Sequence, residues 1–234
     1  MQLLLPHPED EPDLDRLYAT GPEPMLRLGM VTSVDGATAL GGLSHALSGP
    51  PDRRVFSLLR GLADVVLVGA GTARAEGYRP ATVTSERDAL RRARGQRPTP
   101  VVAVVSRGSG LPADSALLAP GAGTLLVTTA KGAQAAPPRL EVLVTGETEV
   151  DLAVGLAQLR ERGLAQVLCE GGPALAAALV TAGLVDELCL STSPQLAGGP
   201  GPRLLGTATS LERPLVLRSL LHEDGWLLAR WAPA

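Results

Sequence analysis

An α/β fold on a mostly parallel sheet, closed by an antiparallel C-terminal hairpin, is what this 234-residue sequence predicts, and three observations carry the prediction. Short apolar runs at 64–68, 101–105, 124–128, 141–144 and 166–169 alternate with segments of helical spacing, the rhythm of strand–helix–strand units. Hydrophobic residues make up 45% of the chain and aromatics only 2%, so the core must be Val, Leu and Ala, which suits strands covered by helices on both faces. Finally, 214–221 and 226–231 flank the turn-forming His222-Glu223-Asp224-Gly225 and read as a hairpin. The length fits one domain, taken as 25–234 and preceded by an arm at 1–24.

In order, the arm is rich in Pro, Asp and Glu from residue 6 and allows at most one helical turn, at 13–17. Leu26 to Val31 is strand-like and breaks at Ser33-Val34-Asp35-Gly36, where Asp-Gly supplies turn chemistry. Pro50-Pro51-Asp52 opens a helix whose apolar face is Val55, Leu58, Leu59 and Leu62. The strand at 64–68 runs into the tight turn Gly69-Ala70-Gly71-Thr72, where a short helix begins. A basic helix over 84–95, with Arg91, Arg92 and Arg94 read as a solvated face, precedes the strand at 101–105. Asp151 is an N-cap for a helix to Arg162, with Gly163 as its stop. The helix 174–182 is nearly all Ala, Leu and Val and is expected to be buried all round; Val185 to Ser191 is the next strand.

With 21 basic and 24 acidic side chains and no long run of either sign, neither nucleic acid nor a membrane surface is an expected partner. No apolar stretch approaches the ~20 residues of a spanning helix, and the N-terminus lacks the basic flank and cleavage site of a signal peptide. Cys169 and Cys189 lie in apolar strands and read as small buried hydrophobes. Three scattered histidines without a Cys-x-x-Cys pair make a metal site unexpected. A reducing cytoplasm is the expected location.

Ligands of parallel sheets bind beyond the carboxyl ends of the strands. Two glycine turns fall there: Gly69 to Thr72, and Glu170-Gly171-Gly172-Pro173, which opens a helix whose free N–H groups favour an anion such as a pyrophosphate. Neither completes a dinucleotide or P-loop pattern, and each alone is equally a device for letting a helix leave a strand. Ser106-Arg107, directly after a strand, offers a hydroxyl and a guanidinium to a phosphate monoester, or is a solvated turn. Asp35 is a carboxylate at a strand end or an ordinary Asp-Gly turn; Arg60 is solvated or reaches a ligand phosphate.

Together these segments resemble, in order, the reductase domain of the riboflavin-biosynthesis bifunctional deaminase/reductase, a dihydrofolate reductase-like fold. The resemblance spans about 26–231 through Val31-Thr32-Ser33-Val34-Asp35-Gly36, Leu58 to Asp64, Val68 to Glu76, Ser106-Arg107, Glu170 to Leu175, Gly183 to Glu187 and Pro194 to Gly199. It implies a homodimeric NADPH-dependent reductase of 5-amino-6-(5-phosphoribosylamino)uracil or a related pyrimidine. Val31, Ser33, Gly71, Thr72 and Glu76 would lie along the cofactor, Gly171, Gly172, Pro173, Ala174 and Leu175 would hold its pyrophosphate, and Ser106 and Arg107 its 2′-phosphate. Asp35, Ser44, Arg60, Arg79 and Glu170 would face substrate, with Asp35 and Glu170 as catalytic candidates and Asp35 or water handling the proton. The late strands are compatible with a dimer through the sheet edge. The sequence departs from the family at His45-Ala46, where a tryptophan is usual, and at Glu76-Gly77-Tyr78-Arg79-Pro80. Two further readings of the same fold are a pteridine reductase acting on dihydrofolate and a catalytically idle nucleotide-binding protein. The zinc signature of the family's deaminase half does not occur in this sequence.

Overall fold

The structure, a computed structural model, describes residues 1–108, 110–206 and 211–234. Its sheet, eleven strands among the described residues, runs in the order β2-β1-β10-β11-β9-β3-β8-β4-β5-β6-β7. The parallel part comprises β3 (Met25–Ser33), β4 (Val65–Gly69), β5 (Val101–Val105), β6 (Leu125–Thr128), β7 (Glu141–Val144), β8 (Gln166–Cys169) and β9 (Glu187–Ser193). The hairpin β10 (Leu215–Glu223) and β11 (Trp226–Pro233) adds to β9 in antiparallel sense. This is the mostly parallel α/β sheet with an antiparallel C-terminal hairpin that the sequence predicts.

Alternate side chains of a strand face opposite layers, and the core divides accordingly. Val65, Leu67, Ala103, Leu125 and Val127 pack with Leu156 and Leu159 of α6 (Leu152–Glu161) and Leu175 and Leu179 of α7 (Pro173–Thr181). On the other face, α2 (Pro50–Leu62) presents Val55, Leu58, Leu59 and Leu62 to Leu168, Cys189 and Leu228. Both cysteines are buried and free, and burial raises each thiol above its ordinary value, Cys169 to about 12. Asp151 caps α6 as expected, accepting from the Val154 N–H.

Three features differ from the sequence reading. The arm adds β1 (Gln2–Leu5), paired with β10, and the two-residue β2 (Glu9–Asp10), before the single turn α1 (Leu14–Leu17). Leu3 enters the core beside Leu221 and Leu228, a tertiary gain that a local pattern of one inward residue does not reveal. Second, Arg91 of α4 (Ser85–Ala93) is not solvated but fully buried; its guanidinium donates to the Gly61, Ala63 and Arg97 carbonyls. A cation thus closes the carbonyl-rich end of α2, where the helix dipole favours it. Third, α7 is not buried all round: Ala174 and Ala178 reach solvent, because alanine makes an exposed face that looks apolar in sequence. No helix among the described residues is long and apolar enough to cross a membrane.

Candidate functional site

The carboxyl ends of β3, β4 and β8 open onto a cavity of about 560 Å³, walled on its other side by α2 and by the loop 75–82. Two glycine turns meet at its rim. Gly69, at the end of β4, donates its N–H to the Gly171 carbonyl at 2.8 Å. Gly171 has φ +82°, and a Cβ there would also press on the Met30 sulfur at 3.1 Å; a Cβ on Gly172 would stand 2.3 Å from Thr72 Oγ1. Only glycines let the turn after β8 lie against Thr72 of α3 (Ala70–Ala75). The peptide between Gly171 and Gly172 is cis. Gly172 then N-caps α7 without a side-chain cap, Pro173 has no N–H to satisfy, and the N–H groups of the first turn remain for an outside acceptor.

Glu170, at the end of β8, is a buried charge of the site, its side chain 1% exposed. It accepts a two-pronged bond from Arg60, Nε to Oε1 at 2.6 Å and Nη2 to Oε2 at 2.7 Å, and a third from the Tyr78 hydroxyl at 2.5 Å. Burial opposes the charge on Arg60, but the hydrogen bonds and field of Glu170 outweigh it and hold the guanidinium above its ordinary value. The Tyr78 phenol is pushed well above its own, first by burial and then by Glu170. Arg60 lies over the Phe56 ring at 5.0 Å and the Tyr78 ring at 5.8 Å. With its Nε and Nη2 committed to Glu170, Arg60 is first a fixed cation in the wall of the cavity.

Val31, Ser44, Arg60, Thr72, Glu76, Arg79, Glu170, Gly172 and Pro173 line the cavity as a group. Glu76 accepts from the Ser44 N–H at 2.7 Å and so fastens the loop 40–48 to the end of α3. Ser106 and Arg107 sit beyond the neighbouring strand β5: Ser106 Oγ accepts from the Gly108 N–H, and Arg107 is exposed with a loose ion pair to Glu149 at 3.4 Å. Gly71, Gly171, Ala174 and Leu175, in α3, the β8 turn and α7, do not themselves line the cavity.

Asp35 stands apart from this group. It does not line the cavity; its carboxylate accepts from the Ala197 and Gly198 N–H groups at 3.0 and 2.9 Å and from Ser33 Oγ at 2.6 Å. Those bonds, the Ala197 N–H foremost, hold its pKa far below the usual carboxylate range. These bonds make Asp35 a clamp between the turn 33–37 and the loop 195–198. Ser33, expected along the cofactor, is buried within the same clamp.

Sequence reasoning missed Asp52, Phe56 and Tyr78 as lining residues. The signal for two of them was present: Asp52, Phe56 and Arg60 recur at i, i+4 and i+8 on α2, a second face beside its apolar one. Asp52 is 6% exposed and accepts from Ser48 Oγ at 2.5 Å.

The fold and this cavity define an α/β protein whose ligands enter at the carboxyl ends of parallel strands. The sequence profile of the RibD C-terminal domain matches residues 24–223, and the chain belongs to that family. It is similar to the 2,5-diamino-6-ribosylamino-4(3H)-pyrimidinone 5′-phosphate reductase of Methanothermobacter thermautotrophicus, 31% identical over 190 residues that cover 78% of this chain and 83% of the relative. The reductase of the same name from Archaeoglobus fulgidus is 30% identical over 152 residues, 63% of this chain and 69% of its own. Among solved structures, a pyrimidine reductase-like protein from Corynebacterium diphtheriae superposes with a TM-score of 0.85 at 25% identity, covering 94% of this chain and 98% of the other.

Proposed function

We propose that this protein is a nicotinamide-dependent, riboflavin-pathway reductase that converts the ribosylamino group of a ribosylaminopyrimidine 5′-phosphate to a ribitylamino group. The observation that carries the reading is the meeting of the Glu170-Gly171-Gly172 turn with Thr72 at the mouth of the cavity, in a chain whose relatives bear the names of such reductases. What supports a dinucleotide is a turn whose two glycines let it lie against Thr72 at the cavity, and a helix start without a side-chain cap. NADPH is the proposed cofactor, with Val31, Gly71, Thr72 and Glu76 along it, Gly171 to Leu175 at the pyrophosphate, and Ser106 and Arg107 at the 2′-phosphate. When bound, it supplies the hydride.

The chain's own share is positioning and charge. Arg60 and Arg79 supply cations for the phosphate, Arg79 being exposed on the cavity wall without an acidic partner within 4 Å among the described residues. Glu170 and Tyr78 hold Arg60 in place. The loop carrying Ser44, fastened by Glu76, covers the other side. Reduction of the opened ribose imine places the hydride on carbon and a proton on nitrogen, which Asp35 or water would supply.

A homodimer is proposed through the outer face of β1, β10 and β11, where Leu4, Leu215 and Leu227 are exposed. The edge itself ends in the short acidic β2, a device that blunts strand pairing.

Steady-state oxidation of NADPH with the pyrimidine ribotide and with dihydrofolate, offered in parallel, tests the function. Turnover of the ribotide alone is expected; turnover of dihydrofolate alone replaces the reading with a pteridine reductase, and turnover of neither, with NADPH bound, leaves a nucleotide-binding protein.

A further inference from the structure

A second cavity, of about 620 Å³, opens at the opposite edge of the sheet, where β5, β6 and β7 begin, and is larger than the cavity of Glu170. A hollow of this size takes a small organic molecule whole. Its floor is apolar. Val101 and Leu125 belong to the core on one face of the sheet and Leu117 to the core on the other, and all three are buried. Leu118 and Leu140, partly buried, continue the apolar wall. The segment 119–123, Ala-Pro-Gly-Ala-Gly, forms one side and puts no long side chain across the opening. A Cβ on Gly121 or Gly123 would meet no atom within 4 Å, so the space beside them is open.

The charged groups around this floor are mostly cations: Arg97, Arg139 and Arg162 line the cavity against a single acid, Glu141. Arg162 is engaged, pairing loosely with Glu141 at 3.5 Å and donating to the Gln158 carbonyl at 2.9 Å. Arg97 and Arg139 are exposed and have no acidic partner within 4 Å among the described residues. A solvated arginine is ordinary by itself; two of them beside an open hollow floored by leucine and valine combine two preferences. The apolar floor favours an occupant that takes it out of water, and the uncommitted guanidinium groups favour a carboxylate or phosphate. We infer that this cavity binds a small amphipathic organic anion, its carboxylate or phosphate held by Arg97 and Arg139 and its apolar body laid against Leu117, Leu118 and Leu140. Neither the cavity nor its ligand class depends on the reductase reading, since the two cavities share no lining residue.

The test is a titration of the whole protein with octanoate, phenyl phosphate and inorganic phosphate, followed through its methyl resonances by NMR. Saturable shifts at Leu117, Leu118 and Leu140 are expected with at least one of the two organic anions, and the tighter of them identifies the head group and the body. Inorganic phosphate, which has a head and no body, should bind about tenfold more weakly or worse, because it leaves the floor uncovered. The double variant Arg97→Gln, Arg139→Gln should weaken the better ligand by about tenfold or more, and raised salt should weaken it in wild type. Both side chains are exposed, so the substitutions leave the fold intact. No shift at these leucines with either organic anion, or shifts at Met30 and Val31 of the other cavity instead, would overturn the inference. So would inorganic phosphate binding as tightly as the organic anions, or an affinity unchanged in the double variant. Shifts that follow protein concentration rather than ligand would make this face a contact between copies of the chain and would also end it. Reductase assays on the same proteins keep the two readings apart: anion binding here without turnover ends the reductase reading alone, and turnover without anion binding ends this one alone.

Discussion

Replacing either partner of the Arg60–Glu170 pair is expected to destabilise the protein unequally. The Glu170 side chain is 1% exposed and that of Arg60 33%. In Arg60→Met the carboxylate stays buried with only the Tyr78 hydroxyl to satisfy it, the situation that costs about 3–5 kcal/mol when one member of a buried pair is removed. In Glu170→Gln the guanidinium keeps one amide acceptor, two aromatic faces and partial contact with water, so the loss is smaller, about 1.5–2 kcal/mol. A chain of this size changes its Tm by about 2–4 °C per kcal/mol, which places Arg60→Met roughly 10 °C below wild type and Glu170→Gln roughly 5 °C below. The double variant leaves no charge buried and should recover part of the Arg60→Met loss, a coupling of about 1.5–3 kcal/mol. Scanning calorimetry of the four proteins at neutral pH reads these directly. Equal losses for the two single variants, or a double variant that is simply additive, would refute the view that Arg60 exists to neutralise Glu170.

Other consequences are as direct. Gly172→Ala forces a Cβ to within 2.3 Å of Thr72 Oγ1; displacement of the turn should cost about 1–3 kcal/mol and weaken NADPH binding about tenfold or more, measured by calorimetry. Arg107→Ala should weaken NADPH by about 10-fold or more while leaving NADH within about twofold, since a single charge-assisted phosphate contact is lost; equal losses would remove Arg107 from the 2′-phosphate. In the buried cluster of Arg27, Glu187 and Arg230, burial works to raise the Glu187 pKa, but Arg230 and Arg27 outweigh it and hold the value below the ordinary one. A depressed carboxylate stabilises the fold above its unfolded pKa, about 4.3, and loses that contribution as pH falls through the folded value. The Tm gap between wild type and Glu187→Gln should therefore be flat from about pH 5 to 8 and close only at lower pH; a gap that grows on acidification would reverse the assignment.

The parallel core was legible because its strands are buried on both faces and read as unbroken runs, Val101 to Val105 being the plainest. Pro50-Pro51 and Asp151 marked helix starts through chemistry that is local to the chain. What local pattern does not carry is the partner at a distance. Arg91 looked like one of several surface arginines, and only the end of α2, thirty residues away, explains its burial. Asp35 kept its expected position at the end of β3, but the loop 195–198 that consumes its carboxylate is more than 160 residues removed. Asp52 and Phe56 were hidden by attention to the apolar face of α2; the i, i+4, i+8 spacing with Arg60 held the information. Tyr78 was visible only as a departure in a loop, and its role appears once its hydroxyl meets Glu170 across 92 positions of sequence.

The central claim is that this cavity delivers a nicotinamide hydride to the ribose carbon of an aminopyrimidine ribotide. It is tested most directly by supplying NADPH deuterated at the transferable position and locating the label in the product by mass spectrometry and NMR. The expected result is a ribitylamino product with deuterium on the former anomeric carbon and an equimolar yield of NADP⁺. Product without label, or NADPH consumed with the label on a pteridine ring instead, would contradict it.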